Sequence, residues 1–260
     1  MRNTILIIIA GLLMSGTAQG EEVLTLSTGE YPPGYSQHAE GYGYVNHIVS
    51  EAFAQVGIRT EYKFLPWKRA YDRTKKSHFI GSCCWFLNKQ DRIDNFYHSE
   101  PIHTRGFWFF HLASHDFDWK ALADLETIRI GGLSGAAYTE EFDGQVKAGK
   151  LKLMQLDTVE QGLRMLLKRR MDVCLLDRET GYAVIRKMGD AMTGKFRHHE
   201  KSLIETPTHI LFSKSDAEKS MRYRDLFNQG LEKLKQSGSY EQILTDLAEG
   251  KYEVRKGKEE

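Results

Sequence analysis

The chain lacks most of the features that would fix its class at a glance. Three cysteines in 260 residues cannot build the bridged scaffold of a small secreted domain. Cys83 and Cys84 are neighbours, a spacing that bridges only through an unusual turn, and both lie, like Cys174, in apolar strand-like runs. All three are therefore expected as small buried hydrophobes. An excess of one charge is also missing, with 36 Lys and Arg against 35 Asp and Glu and no basic stripe of the kind that tracks nucleic acid or anionic lipid. The mixed blocks KKSH at 75–78 and RKGKEE at the C-terminus read as solvated ends. Ten histidines show no metal-ligand spacing, and His198 and His199, adjacent and pointing apart in an extended chain, are expected at the surface. No metal or other cofactor is expected.

Long apolar runs are scarce as well. Beyond residue 20 no stretch approaches the roughly 18 to 20 apolar residues a membrane span needs. The one uninterrupted run, Ile5 to Met14, follows Arg2 and precedes the small and polar residues SGTAQG. That order reads as a cleaved secretory signal over residues 1–20, leaving an exported protein that begins at Glu21. No cysteine near the cut could take a lipid. Removing Arg2, the single charge of the first twenty residues, leaves 35 basic and 35 acidic side chains.

Two similar halves follow. In the first, VLTLS (23–27) reads as a strand and GEYPPGYSQHAEGYGY as a turn-rich loop. Val45, Ile48, Val49, Ala52, Phe53 and Val56 recur at helical spacing, and Gly57 stands where a C-terminal glycine belongs. TEYKFL (60–65) alternates as a strand, Pro66 opens a helix, and FIGSCCWF (79–86) closes the unit as a buried strand. The second half repeats the plan: IRIGG (128–132), a helix bearing Tyr138, Phe142 and Val146, KLMQL (152–156), a helix capped by Thr158 and Gln161, and MDVCLL (171–176). Two βαβαβ units predict two small lobes, each a mainly parallel sheet with helices on both faces. PIHTRGFWFFHLAS (101–114) and TPTHILFSKS (206–215) read as extended segments crossing between them, and the C-terminal helices return to the first lobe. Two crossings make a hinge, which sets the ligand-binding strand ends of both sheets across a cleft.

The export signal, the duplicated halves, YPP at 31–33, FLPWKRA at 64–70, R-x6-S-x-P at Arg92, Ser99 and Pro101, and D-x4-D at Asp172 and Asp177 come in a specific order. Together they resemble the family 3 periplasmic solute-binding proteins of bacterial ABC importers, the group that includes amino-acid-binding proteins. The resemblance implies an α/β, two-lobe periplasmic binding protein fold, with lobe 1 over 21–104 and 211–260, lobe 2 over 105–210, and hinge segments near 101–112 and 205–213. It also implies a monomer that hands a small-molecule ligand to an inner-membrane permease.

Site residues carry over one by one. Arg92 occupies the place of the arginine that clamps a ligand's α-carboxylate, for which a guanidinium fork is suited; its alternative is a surface pair with Asp91 or Asp94. Asp177 falls where the family's lobe 2 aspartate takes the α-ammonium, and otherwise would cap the following helix. Tyr31 and Trp67 match aromatic positions that sandwich the ligand, and Trp85 joins them unless strand alternation turns it inward. In the turn SGAA the backbone amides of Gly135, Ala136 and Ala137, at a helix N-terminus, are expected to share the carboxylate with Arg92. Here the chain departs from its relatives, which commonly carry hydroxyls before the arginine and in this turn. Thr28 also replaces an acid near the end of the first strand, with Glu30 two residues on. These departures leave open an amino acid or another small carboxylate. An exported dehydratase-like enzyme, using Glu30 or Glu179 as acid or base, is the rival from another class; Glu179 otherwise reads as a surface acid in the first turn of a helix. A partner that presents its ligand to a sensor is a third reading. GLSGA is not the G-x-S-x-G of a serine hydrolase, and the turn lacks the spacing and lysine of a nucleotide site.

Overall fold

The computed structural model describes residues 22–254 apart from Gly135 and Ala137. The expected signal over 1–20 and two of the three turn residues thus lie outside the described residues. The first half runs β1 (Glu22–Thr28), α1 (Tyr44–Ala54), β2 (Ile58–Phe64), α2 (Trp67–Lys75) and β3 (Gly81–Phe86). The helical stripe read from the sequence is the buried face of α1, and Gly57 takes φ +77° just beyond it. A short α3 (Gln90–Asn95) and β4 (Phe96–His98) lead into the long strand β5 (Thr104–Leu112).

The second half runs β6 (Arg129–Leu133), α4 (Glu140–Lys147), β7 (Lys152–Leu156), α5 (Val159–Leu167), β8 (Val173–Leu176) and α6 (Arg178–Lys187). Thr158 caps α5 by accepting from the Gln161 amide at 3.1 Å, while Gln161 returns a bond to the Asp157 amide at 2.8 Å. After β9 (Phe196–His198) the strand β10 (Ile204–Ser213) returns to the first half, where α7 (Ala217–Gln236) and α8 (Ser239–Ala248) complete the chain. No helix among the described residues is long and apolar enough to cross a membrane.

The ten strands form one continuous sheet in the order β2-β1-β3-β10-β5-β8-β6-β7, with β4 beside β10 and β9 beside β5, but each half has its own core. β1 pairs in parallel with β2 and β3, and β6 in parallel with β7 and β8. One pair of hydrophobic clusters draws on residues 24–102 and 210–252, the other on 107–203, with no residue in common. On that separation we propose lobe boundaries within β5 and β10, close to those read from the sequence.

These two strands also form the link. Ile204 to Pro207 of β10 pair antiparallel with Phe107 to Thr104 of β5; β10 then continues along β3 and β4, and β5 along β8 and β9. Gly106 sits in that crossing, where a Cβ would lie 2.2 Å from the Ile204 carbonyl oxygen. Only glycine lets the two strands approach so closely.

Two expectations need correction. Cys83 and Cys84 are buried, but they are joined by a disulfide and only Cys174 is a free buried thiol. Whether neighbours bridge depends on the backbone between them, which residue type does not set. His198 and His199 are half-buried rather than at the surface. His198 Nδ1 lies 2.8 Å from the Tyr182 hydroxyl and its ring packs on Phe110, and His199 Nε2 lies 2.9 Å from Asp118.

Candidate functional site

A cavity of about 490 Å³ opens where the C-terminal ends of β1, β3, β6 and β8 meet the crossing strands. Lobe 1 contributes Tyr31, Tyr35, Trp67, Trp85 and Arg92, the crossing contributes Arg105, Gly106 and Phe107, and lobe 2 contributes Leu133, Ser134, Ala136 and Asp177. Six residues expected at the site from sequence (Tyr31, Trp67, Trp85, Arg92, Ala136 and Asp177) thus line one cavity, although they are spread over nearly 150 positions of chain. Its volume suits a molecule of amino-acid size or somewhat larger.

The aromatic wall is assembled by local rules. Pro66 fixes the start of α2 and delivers Trp67 at its first residue. The indole lies across Gly29, where a Cβ would come within 2.3 Å of the ring, so the residue that follows β1 must be glycine for the wall to exist. Trp67 meets Trp85 edge-on at 5.2 Å and Tyr35 at 5.4 Å. Trp85 does turn inward, being 8% exposed with its Nε1 donating to Ser82 Oγ at 2.9 Å, yet it still borders the cavity. Tyr31 has its hydroxyl pKa pushed up to about 12, by burial and then by the Asp177 charge.

Arg92 lies on α3, its guanidinium 4.9 Å above the Trp85 ring. Nη1 donates to the Phe86 carbonyl at 2.6 Å and to Asn88 Oδ1 at 2.9 Å. These bonds fix the plane of the group and leave Nε and Nη2 with no hydrogen bond to a described residue. The pairing with Asp91 or Asp94 considered from sequence does not form: Asp91 takes Lys75 and Tyr71, and Asp94 takes Gln90.

Asp177 is committed elsewhere. Buried to 3% exposure, it caps α6: Oδ1 accepts from the Thr180 amide at 3.0 Å and its hydroxyl at 2.8 Å. Arg105 completes the set, with Nε donating to Oδ2 at 3.1 Å and Nη2 lying 2.9 Å from Oδ1. The ammonium seat expected from sequence is therefore filled by the chain's own guanidinium. Arg105, 4% exposed, lies 5.1 and 5.4 Å from the Tyr31 and Tyr35 rings. Burial works against its charge, but Asp177 and the tyrosines outweigh it and hold its pKa well above the ordinary value. Sequence reasoning passed over Arg105, although a lone arginine in the apolar run of β5 was a visible signal: an ion there needs a partner.

Of the three turn amides only that of Ala136 can be followed. Gly135 and Ala137 lie outside the described residues, and the Ala136 amide donates to the Leu133 carbonyl at 3.1 Å, closing the turn instead of waiting for a ligand. The helix beyond begins only at Glu140, its cap Thr139 accepts from the Phe142 amide, and its first turn carries Glu140, Glu141 and Asp143. Three carboxylates there oppose an anion rather than invite one.

Of the two acids considered for catalysis, Glu30 is exposed at the cavity rim and accepts from the Gln37 amide at 3.1 Å. Glu179 is not the surface acid expected: its side chain is 11% exposed and its pKa is raised, by burial and then by Asp177. It lines a different cavity of about 340 Å³, with His103, Tyr182 and Leu247, between α6 and α8. Thr28, at the place of the missing acid, is fully buried and does not reach the cleft. No group of three or more His, Cys, Asp or Glu among the described residues could hold a metal.

No protein-family model matches the chain, and no curated protein matches it. Solved structures do. The L-cystine solute receptor of Neisseria gonorrhoeae, unliganded and open, superposes with a TM-score of 0.66 at 18% identity, covering 91% of this chain and 96% of that one. A histidine kinase sensor domain with similarity to periplasmic binding proteins gives 0.64 at 19% identity over 87% and 96%. An ancestral amino-acid-binding protein, a precursor of cyclohexadienyl dehydratase, gives 0.61 at 16% over 86% and 94%. At such identities the likeness shows the fold: the chain has the two-lobe fold of periplasmic binding proteins.

Proposed function

We propose that this chain is an exported solute-binding protein. It captures a small carboxylate-bearing molecule, an amino acid or a related acid, between its lobes. Closure about β5 and β10 surrounds the solute, and the closed protein, a monomer in the periplasm, presents it to an ABC permease in the inner membrane. The observation that carries this reading is the cavity itself. Both lobes and the crossing strand β5 border one space, and β5 is paired with the second crossing strand β10, so a bound solute bridges parts that move relative to each other.

Arg92 is the anchor. Its carbonyl and amide contacts orient it, and stacking on Trp85 keeps it at the aromatic wall. The Nε and Nη2 edge can then meet two carboxylate oxygens with two parallel bonds. The dehydratase-like alternative needs an acid or base facing the solute, and the carboxyl whose pKa is raised, Glu179, borders the other cavity.

The test is a thermal-shift screen of the purified protein against amino acids, dicarboxylates, polyamines and aromatic acids, with calorimetry on the hits. One-to-one binding with the solute recovered unchanged is expected. Consumption of the hit would overturn a binding role in favour of an enzyme.

A further inference from the structure

We infer that the solute of this cleft is a carboxylate with a flat apolar body and no ammonium group beside the carboxylate. The inference rests on the binding role proposed above and narrows it to a chemical class.

Charge comes first. Two carboxylates border the cavity, Glu30 and Asp177. Asp177 is buried and already accepts from Thr180 twice and from Arg105, so a guest cation would have to compete with a buried guanidinium for it. Glu30 is exposed at the rim and takes the Gln37 amide, and water screens whatever charge it meets there. One cation is better placed: Arg92 is half-buried with its Nε and Nη2 edge uncommitted, while Lys89 on the same wall is exposed and screened as Glu30 is. A carboxylate entering the cleft exchanges water for a guanidinium fork, whereas an ammonium loses water and finds no uncommitted buried carboxylate, only ring faces, and those of Trp85, Tyr31 and Tyr35 already carry guanidinium groups.

Shape agrees. Rings of Tyr31, Tyr35, Trp67, Trp85 and Phe86 border the space from lobe 1, and Phe107, Leu133 and Ala136 border it from the crossing strand and lobe 2. Five rings on lobe 1 and a largely apolar lining beyond them favour a planar body lying on the aromatic wall. Because the Arg92 guanidinium is held over Trp85, carboxylate and ring of the solute would be gripped side by side.

Two matched series decide the matter by calorimetry on the intact protein: 3-phenylpropanoate, L-phenylalanine and phenethylamine, and indole-3-propanoate, L-tryptophan and tryptamine. Within each series the skeleton is constant and only the charged groups change. At least one acid is expected to bind with a Kd tenfold or more below its amino acid, the amines to give no heat of binding, and Arg92→Lys to weaken that acid at least tenfold. An amino acid binding as tightly as its acid, an amine binding, or neither acid binding overturns the class. The broad screen separates this failure from failure of the binding role. One-to-one capture of a polyamine or an aliphatic amino acid keeps the role and discards the class, and turnover of any hit discards the role.

Discussion

The lobe 1 wall of the cleft carries large rings and an anchored, half-satisfied arginine, whereas the lobe 2 wall carries Leu133, Ser134, Ala136 and an aspartate already paired. On the binding role proposed above, one wall holds and the other covers. A solute then docks on lobe 1 while the cleft is open, and lobe 2 excludes water on closing. Between the walls the Arg105–Asp177 pair reaches from the crossing strand to lobe 2, with tyrosines of lobe 1 packed on its cationic end.

The largest expected effect breaks that link. Arg105→Met leaves Asp177 buried without its cation, and urea unfolding should show a loss of about 3–5 kcal/mol. A change under about 1 kcal/mol would mean the pair does not hold the halves together.

Next in size is a pH effect at the lobe 1 end of the crossing. His103 packs edge-on against Tyr44 at 5.4 Å, and burial lowers its pKa from 6.5 to about 4. A base with a depressed pKa in the folded state contributes its full stability above 6.5 and loses it as pH falls toward 4, because the unfolded chain takes the proton first. The loss should approach about 2–3 kcal/mol at pH 4 to 4.5. It should shrink markedly in His103→Gln, as read from urea midpoints at pH 7 and 4.5.

Smaller effects sharpen the contrast between the walls. Arg92→Ala should weaken the best carboxylate ligand at least tenfold, consistent with about 1.5–3 kcal/mol for hydrogen bonds to a charged group. Urea unfolding of the unliganded variant should stay near that of the parent. Ser134→Ala, on the covering wall, should change affinity by less than about threefold, or roughly 0.6 kcal/mol. If the two substitutions cost the same, the division between a holding and a covering wall fails.

Much of this molecule was legible in its sequence. The stripe on α1, the Thr158 and Gln161 cap and the proline before Trp67 are local signals that tertiary contacts had no reason to override. Periodicity located the strands, and the resemblance to family 3 solute-binding proteins then singled out Tyr31, Trp67 and Arg92 near their ends. Arg105 was missed because its meaning lies in a partner 72 residues away. At Ala136 the residue type allows the amide to face a ligand or to close the turn, and the bond to the Leu133 carbonyl chooses the second.

Alone, the sequence determined the order of elements and the repeated plan, since hydrophobic spacing and capping act over a few residues. Tertiary structure alone decided which cleft residues remain free to meet a solute. A hydrogen bond or ion pair removes a group from service, and its partner can come from anywhere in the chain: Arg105 claimed Asp177, and Phe86 and Asn88 claimed only one edge of Arg92.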